Sequence, residues 1–371
     1  VCAIIPDYPR AKLDVKLVIE SDDSEMRAAL ASLRLPYWVE TVVAPHGVPR
    51  TKPRALNIAL PLARGSLLAV YDAEDEPDPG QLRAAAERFA VESPTLACLQ
   101  ASLAIDNMAD TQLAALFGVE YAALFDVQLR GLAALDMPIP LGGTSNHFRV
   151  SALRRVCAWD AWNVTEDMDL GLRLARFGYS VKTLASTTYE EAPATIDAWL
   201  KQRRRWMKGW MQTLLTHCRE PGRIVREIGP LRALAAFSLI ASPLAGFLMA
   251  PLVAVRLGYD LFSDSNFLRP QTLRQLAEST SAGFILVGGA VALLWPILLG
   301  MRRRGLFAFS SCLLWLPLYL TLLSWAAWRA LFDLLDDPYH WAKTEHGLAR
   351  SSRRKITVSD APQTPPDRTP A

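Results

Sequence analysis

The stretch Trp199–Trp210, WLKQRRRWMKGW, separates a charged first half of the chain from a strongly apolar second half. The absence of proline over residues 196–219 predicts one continuous helix. On a helix, Gln202, Arg205 and Trp206 share one face, because residues three and four positions apart are neighbours. Tryptophans beside a dense group of arginines and lysines are typical of an amphipathic helix at a membrane surface. The same face also offers Gln, Arg and Trp to a substrate, and the stretch alone leaves both interpretations open.

The composition of the chain divides it into segments. Of its 371 residues, 51% are hydrophobic and 21% are charged, and the formal net charge is +3. Residues 1–220 predict a globular α/β domain, residues 221–335 predict interfacial and transmembrane helices, and residues 336–350 are a polar segment after them. Residues 351–371, rich in proline and polar side chains, predict a disordered tail. The basic residues cluster beside the apolar runs, which indicates a membrane partner and no nucleic acid.

Three apolar runs in the second half are each long enough to span a hydrocarbon core of ~30 Å. The basic cluster at residues 302–304 and the basic tail both favour the cytosolic side of a membrane. A cytosolic first domain and a cytosolic tail require an even number of crossings. We therefore expect one run to be re-entrant or to break, with Pro243 and Pro317 as candidate positions. The runs are Leu231–Leu257, Ala282–Gly300 and Leu306–Ala327.

The first half alternates strand and helix patterns, which predicts a doubly wound α/β fold. Leu13–Glu20 (LDVKLVIE) is a buried parallel strand by its composition, and Asp22 and Asp23 follow it. Ligands of such folds bind at the carboxyl edge of the strands, so both aspartates are candidate ligand-binding residues. Capping of the next helix is the alternative. In the basic loop at residues 45–54, Lys52 is placed to meet a phosphate, with a solvated loop as the alternative.

The predicted strand Ser66–Tyr71 runs into a cluster of carboxylates, Asp72–Glu76. These side chains repel one another unless a cation or solvent offsets their charge. Asp72 and Glu74 can hold a hard divalent ion through oxygen ligands and leave positions for substrate phosphates. A solvated acidic loop that caps the helix predicted at residues 79–91 is the alternative.

Two later stretches add candidate residues. In PIPLGGTSNHF (residues 138–148), Thr144, Ser145 and Asn146 offer hydrogen-bonding groups that suit a polyol such as a sugar. Farther on, Thr165 is positioned to cap a helix over residues 166–177, with acidic residues in its first turn. A capped helix explains these acids completely, and a general base among them, with Asp167 restrained by the helix start, is the alternative.

Together these motifs resemble the membrane-bound, processive-type members of glycosyltransferase family 2, the cellulose synthase-like enzymes. Asp22-Asp23 resembles the first acidic motif of that family, and Asp72-Ala73-Glu74 resembles its DxD motif, with Glu in the second acidic position. Thr165-Glu166-Asp167 is identical to the TED motif, and residues 202–206 (QRRRW) are identical to QxxRW. Trp341–Gly347 is a looser match to the gating loop of the family. The likeness covers about residues 1–350.

The resemblance implies a GT-A-like nucleotide-sugar-binding domain followed by transmembrane helices. It implies an inverting transfer from a nucleotide-sugar, expected to be a UDP-sugar, to a growing β-linked polysaccharide, with Mg²⁺ or Mn²⁺ as cofactor. Asp167 would be the catalytic base, Asp72 and Glu74 would hold the metal, and Gln202 and Trp206 would bind the acceptor. Asp22, Asp23, Arg205, Lys343 and Thr344 would bind the nucleotide donor.

The resemblance also carries expectations about the place and the completeness of the chain. We expect a multi-pass protein of a bacterial inner membrane with its catalytic domain in the cytosol. The family's first strand has no counterpart here, so we expect the sequence to be truncated at its N-terminus. Two alternatives remain open: a non-processive transferase that acts on a lipid acceptor, and a non-catalytic membrane scaffold.

Overall fold

The computed structural model describes residues 7–263 and 270–339, and their strands form two sheets. The strands are β1 Val15–Glu20, β2 Val39–Ala44, β3 Leu67–Val70, β4 Glu76–Pro77, β5 Leu96–Ile105, β6 Asn146–Arg149 and β7 Ser180–Glu190. β1 and β2 pair in parallel and stand apart from a five-stranded sheet with the order β3-β6-β5-β7-β4. The parallel strand predicted at Leu13–Glu20 is confirmed as β1.

The larger sheet is mixed because of β6. This strand runs antiparallel to both of its neighbours, β3 and β5, whereas β5 and β7 are parallel. Sequence analysis predicts a ligand-binding stretch there, not a strand, because Asn146 and His147 are polar. The structure buries both residues and pairs them inside the sheet, where the imidazole of His147 lies 3.1 Å from the Tyr71 hydroxyl. The simple doubly wound arrangement is therefore corrected to a mixed sheet.

Twelve helices occur in the described ranges. They are α1 Ser24–Ala31, α2 Lys52–Ala59, α3 Gln81–Val91, α4 Gln112–Ala123, α5 Leu129–Ala134, α6 Val150–Arg155, α7 Glu166–Arg176, α8 Ile196–His217, α9 Pro221–Ile228, α10 Pro230–Ser263, α11 Leu273–Arg304 and α12 Leu316–Asp336. A π-helical turn, Leu124–Gln128, joins α4 to α5, and a 3₁₀ helix, Leu306–Trp315, precedes α12. The continuous helix predicted around WLKQRRRWMKGW is confirmed as α8.

The core joins the sheet to the helices that follow it. All ten residues of β5 are buried, and one apolar cluster extends from this strand through Phe117 of α4 to Trp199 of α8 and Leu323 of α12. Trp199 has 0% exposure and its ring centroid lies 4.9 Å from that of Tyr319. The interpretation of α8 as the helix at the membrane surface is therefore corrected, because α12 covers it.

Three segments of the described chain are long and apolar enough to cross a membrane: Pro230–Tyr259, Leu273–Arg304 and Leu306–Asp336. They correspond to the three apolar runs of the sequence. α10 continues through Pro243, whereas the third segment changes from 3₁₀ to α-helix just before Pro317. A proline in the first turn of a helix loses no hydrogen bond, which explains why α12 begins there.

Candidate active site

The loop after β3 meets a lysine from the start of α2. The ammonium of Lys52 forms an ion pair with Asp72 and donates a hydrogen bond of 2.8 Å to the carbonyl oxygen of Gly143. Burial disfavours the positive charge of Lys52, but the carboxylates of Asp72 and Glu166 outweigh burial and raise its pKa. The lysine therefore stays charged and joins three separate segments of chain at one point.

The buried carboxylate of Asp75 lies next to the loop after β3 and forms hydrogen bonds with it. It is 2% exposed, and its Oδ2 accepts hydrogen bonds from the Thr144 hydroxyl and, at 2.7 Å, from the backbone N–H of Asp72. Its Oδ1 is buried and has no hydrogen-bond partner in the described chain. Burial first, and the charge of Asp72 second, raise the pKa of Asp75. The side chain thus holds the backbone of Asp72 in place while its own ionisation is disfavoured.

The first turn of α7 brings two more carboxylates to the same region. Oδ1 of Asp167 accepts a hydrogen bond of 2.8 Å from the backbone N–H of Met168. A β-carbon on Gly143 would lie 3.3 Å from Oδ2 of Asp167, so the carboxylate lies directly against this glycine. Burial raises the pKa of Asp167, and burial followed by the charge of Asp167 raises the pKa of Glu166. Asp167 is therefore a stronger base than an ordinary aspartate.

The predicted capping role of Thr165 is corrected in one respect. Thr165 occupies the N-cap position of α7, but its side chain makes no capping hydrogen bond there. Its hydroxyl instead lies 3.4 Å from Oδ1 of Asn163, and Asn163 donates to Thr213 of α8 at 2.8 Å. The start of α7 is thus held by α8 and not by its own N-cap.

The QxxRW residues of α8 have different environments. Arg205 lies close to the acids: burial lowers its pKa, and the charges of Glu166 and Asp167 oppose this shift. Gln202 is buried, and its Oε1 has no hydrogen-bond partner among the described residues. The ring of Trp206 is partly buried, with the centroid of Phe117 at 5.9 Å. The structure thus brings Arg205 to the acidic cluster and sets Trp206 against the core.

The three polar residues predicted to contact an acceptor are buried and bonded within the protein. The Thr144 hydroxyl donates to Asp75, the Ser145 hydroxyl donates to Thr188 at 2.6 Å, and the Asn146 amide donates to the Gly142 carbonyl at 2.5 Å. Their exposures are 1%, 0% and 3%. These contacts hold the strand and the loop before it in place, so the structure gives the three side chains internal partners.

The two aspartates after β1 serve local contacts. Asp22 accepts a hydrogen bond of 2.6 Å from Arg50 at the exposed surface. Asp23 is the N-cap of α1, where its carboxylate accepts from the backbone N–H of Met26 at 3.0 Å. The capping role that the sequence left open is therefore present. Lys343 and Thr344, in the stretch compared with a gating loop, lie outside the described residues.

Sequence analysis missed one acid of this region, Glu190 at the end of β7. Burial first, and the charge of Asp75 second, raise the pKa of Glu190 to about 8, while a hydrogen bond from Tyr121 opposes the shift. The residue appears in the sequence only as part of an acidic turn before α8. The extension of β7 as far as Glu190, where it reaches the acidic cluster, has no local signal in the sequence.

The acids fit a divalent ion only in combination with a substrate. In residues 7–263 and 270–339, no group of three or more His, Cys, Asp or Glu side chains is placed to hold a metal ion. Mg²⁺ and similar ions commonly bind through one or two carboxylates plus substrate phosphates. Asp72 and Glu74 provide oxygen donors of that kind, and the Lys52 ammonium beside them would meet the same phosphates. The donor set therefore fits a metal that arrives with a diphosphate.

Comparison with known proteins assigns the chain to a family. The family model described as glycosyl transferase family group 2 matches residues 67–331. Beta-monoglucosyldiacylglycerol synthase of Synechocystis sp. is 31% identical over 218 residues, which is 57% of this chain and 44% of the relative. Probable glucomannan 4-beta-mannosyltransferase 1 of Arabidopsis thaliana is 24% identical over 218 residues, which is 56% of this chain and 39% of the relative. The matches span less than half the length of these relatives.

A solved glycosyltransferase structure has a similar fold. Mannosyltransferase PcManGT from Pyrobaculum calidifontis, in complex with GDP-Man and Mn²⁺, superposes with a TM-score of 0.54 at 20% sequence identity. The match covers 90% of this chain and 80% of the other. The expected GT-A-like α/β domain is confirmed, here with a mixed sheet and apolar helices at its C-terminal side.

Proposed function

Because the chain belongs to glycosyl transferase family group 2, we propose that it is an inverting glycosyltransferase that moves a sugar from a nucleotide-sugar to an acceptor hydroxyl at the membrane. The observation that carries this proposal is the convergence of Asp167, Lys52 and Arg205 on the loop of Asp72. Two cations, from α2 and α8, and one acid, from α7, meet there, although they are far apart in sequence. A scaffold without activity would have no need of this arrangement.

Asp167 is the proposed general base. It would accept the proton of the acceptor hydroxyl while that oxygen attacks the anomeric carbon and the bond to the nucleoside diphosphate breaks. One displacement inverts the configuration, so an α-linked donor gives a β-linked product. Burial of Asp167 supports this role, since a base with a raised pKa takes a proton more readily.

Lys52 and Arg205 are proposed to bind the diphosphate that leaves. The Lys52 ammonium is a compact charge, and the planar guanidinium of Arg205 suits two phosphate oxygens at once. A divalent ion, Mg²⁺ or Mn²⁺, held by Asp72 and Glu74 would neutralise negative charge on the diphosphate. We propose that Asp22 and Asp23 contact the nucleotide, with Lys343 and Thr344 added from the C-terminal segment.

The acceptor proposed first is a growing β-linked polysaccharide, which is what the QxxRW motif implies. Gln202 supports an acceptor role, because its buried Oε1 lacks a hydrogen-bond partner in the described chain. Trp206 is proposed to stack on a sugar ring of the acceptor if its packing against Phe117 opens. Thr144, Ser145 and Asn146 are buried and bonded within the protein, so we assign them to the support of the site and not to the acceptor.

A lipid acceptor is the second candidate, and one comparison favours it. The synthase from Synechocystis, named for a glucosyldiacylglycerol product, is 31% identical, whereas the glucomannan mannosyltransferase is 24% identical. In both cases we propose a multi-pass protein of a bacterial inner membrane with its catalytic domain in the cytosol.

The direct test is to incubate membranes that contain the protein with a panel of labelled UDP- and GDP-sugars and Mg²⁺ or Mn²⁺. A labelled polymer supports the polysaccharide acceptor, and a labelled product that extracts into organic solvent supports the lipid acceptor. Membranes that contain Asp167→Asn serve as the control for background transfer. Absence of any labelled product above that control, across the panel, would refute the proposed activity.

A further inference from the structure

The third apolar segment, Leu306–Asp336, is attached to the catalytic domain near its beginning. Just before it, Arg304 of α11 forms an ion pair with Asp126 and donates a hydrogen bond of 2.8 Å to the carbonyl oxygen of Leu103 in β5. Inside it, the hydroxyl of Tyr319 donates to Glu120 of α4 and accepts from Arg203 of α8 at 2.9 Å. The start of the segment therefore lies against the sheet and against two helices of the domain.

The end of the same segment is attached to the same domain. Asp333 forms a two-pronged ion pair with Arg204. The Lys208 ammonium donates to the Asp337 carbonyl at 3.0 Å, and Gln212 donates to the Pro338 carbonyl at 2.8 Å. Both ends of α12 thus contact α8, the helix that carries the QxxRW residues.

These contacts bear on how the segment meets a bilayer. A helix that crosses a membrane has its ends on opposite sides of a hydrocarbon layer ~30 Å thick. Both ends of α12 contact α8, so α12 can cross the bilayer only if α8 crosses it as well. α8 carries Arg203, Arg204, Arg205 and Lys208 in its middle, and so many charged side chains are rare and costly in a membrane-spanning helix. The charges of α8 keep it, and with it α12, out of a crossing position.

The outer face of α12 is nevertheless strongly apolar. Its inner face holds small side chains, such as Ala326, Ala327 and Ala330, all at 1% exposure or less. Its outer face holds Leu318, Trp325 and Phe332, which follow at intervals of seven residues and have exposures of 52%, 59% and 55%. Small residues packed inward and large apolar residues turned outward, with a tryptophan among them, are typical of a helix that lies in the membrane interface.

The other two apolar helices extend away from the domain. In α11, the buried residues are Ile297, Gly300 and Met301, all near its C-terminal end, and a β-carbon on Gly300 would stand 2.7 Å from the carbonyl oxygen of Ala122. The part of α11 before them, including Phe284 at 80% exposure, projects from the domain. The uncharged stretch of α11, residues 282–300, measures about 28 Å at ~1.5 Å per residue, which is close to the thickness of the hydrocarbon core, and the polar residues 273–281 precede it.

α10 shows the same division in the opposite order. Its first half packs on the domain, with Ala233 and Ala236 buried beside α7 and α9. α12 meets it near its middle, where Ser324 donates to the Phe247 carbonyl at 2.7 Å. The half beyond is exposed, as at Val255 with 74% exposure, and is apolar except for Arg256 and Asp260. The two projecting parts follow one another along the chain.

We infer that the chain crosses the bilayer twice, through α10 and α11, and that Leu306–Asp336 lies on the bilayer-facing side of the catalytic domain with its outer apolar face in lipid. This inference rests on the membrane position proposed above. It resolves the conflict between three apolar runs and an even number of crossings. It also keeps Pro338, whose carbonyl accepts a hydrogen bond from Gln212, on the side of the catalytic domain.

Cysteine labelling with a membrane-impermeant maleimide tests the sidedness. The background retains Cys157, which is exposed on the catalytic domain, and replaces Cys2 and Cys218 with serine. Ser265→Cys reports the connection between α10 and α11, and Thr364→Cys reports the C-terminal tail. In sealed vesicles with the catalytic domain outside, Cys157 and Thr364→Cys should be labelled and Ser265→Cys should not. In vesicles with the catalytic domain inside, only Ser265→Cys should be labelled. Labelling of Thr364→Cys on the side opposite to Cys157, or of Ser265→Cys on the same side, would overturn the inference.

Depth measurements test the position of α12. Nitroxide labels at Leu318→Cys, Trp325→Cys and Phe332→Cys in vesicles should show similar, shallow depth by the ratio of oxygen to nickel-chelate accessibility. Val291→Cys, at the middle of the uncharged stretch of α11, is the matched control and should be deep. A depth that passes through a maximum at Trp325→Cys would mean that the segment crosses the bilayer. Neither the labelling nor the depth measurement depends on sugar transfer. The inference can therefore fail while the proposed activity is correct, and the proposed activity can fail while the inference is correct.

Discussion

Gly209 of α8 lies directly against Thr165 at the start of α7: a β-carbon at position 209 would stand 2.7 Å from the backbone nitrogen of Thr165. The glycine therefore sets how closely the helix of QxxRW approaches the turn of the TED motif. Asp167 and Arg205 owe their proximity to this contact. A helix with a side chain at position 209 would hold Arg205 farther from the carboxylates.

Gly209→Ala should lower both stability and transfer. Overpacking of a close contact costs about 1–3 kcal/mol, which exceeds the gain of about 1 kcal/mol from replacing a helical glycine. Thermal unfolding and transfer assays would measure the two effects. Gly222→Ala in α9 is the control, because a β-carbon there has no neighbour within 4 Å, and it should leave transfer near wild type and stability unchanged or raised by up to about 1 kcal/mol. Equal behaviour of the two variants would contradict the role given to Gly209.

Asp167→Asn should reduce transfer by ~10²-fold or more while donor affinity stays nearly unchanged, because the amide cannot accept the proton of the acceptor hydroxyl. The rate of transfer and the dissociation constant of the nucleotide-sugar would be measured separately. Asp197→Asn, at the exposed start of α8, is the matched control and should transfer at the wild-type rate. Wild-type transfer by Asp167→Asn would end the assignment of the base.

Glu190→Gln should stabilise the protein at high pH only. The pKa of Glu190 is raised from 4.5 to about 8 in the folded protein, so between these values the folded state keeps a proton that the unfolded state releases. The free energy of unfolding therefore falls as the pH rises through this window. Removing the acid removes that loss, which amounts to several kcal/mol for a pKa raised from 4.5 to about 8, since one pKa unit corresponds to about 1.4 kcal/mol.

Melting temperatures in the presence of a chelator, from pH 5 to pH 9, would measure this effect. The difference between Glu190→Gln and wild type should be near zero at pH 5 and rise to several degrees at pH 9. Glu87→Gln on the exposed face of α3 controls for loss of a negative charge. A difference independent of pH would show that Glu190 does not titrate as described.

Arg203→Met should destabilise the protein by about 1–3 kcal/mol, because it removes a buried charge and leaves the Glu120 carboxylate, which is 36% exposed, without this partner. The Arg203 guanidinium is bonded to both oxygens of Glu120 at 2.7 and 2.8 Å and lies 4.3 Å from the ring centroid of Phe117. Chemical denaturation in detergent would measure the loss. Arg203→Met combined with Glu120→Gln should lose less than Arg203→Met alone. Arg223→Met, which breaks an exposed pair in α9, should have little effect.

Local patterns were sufficient for much of the fold. The apolar composition of Leu13–Glu20 predicts β1, and the proline-free stretch around WLKQRRRWMKGW predicts α8. The same kind of reasoning fails for β6, because Asn146 and His147 are polar and only their pairing between two other strands makes burial favourable. Their partners lie far away in the chain, so no nearby residue signals the strand.

The candidate site shows the same division. Asp72, Asp167 and Arg205 stand out in the sequence because they belong to short motifs with a chemical rationale. Asp75 and Glu190 do not stand out, since their altered ionisation arises from burial and from carboxylates brought near by folding. Desolvation is a property of the packed protein, and it has no counterpart in an isolated stretch of chain.

By itself, the sequence determined the kinds of segment present: an α/β domain with acidic motifs, a basic aromatic helix, and three apolar runs. Local hydrophobic periodicity and charge suffice for that. Only the tertiary structure decided what each segment faces. It placed α12, not α8, on the outside and set α7 against Gly209, because these outcomes depend on which distant surfaces fit together. The stretch WLKQRRRWMKGW thus lies between the acids of the candidate site and an apolar helix that covers it.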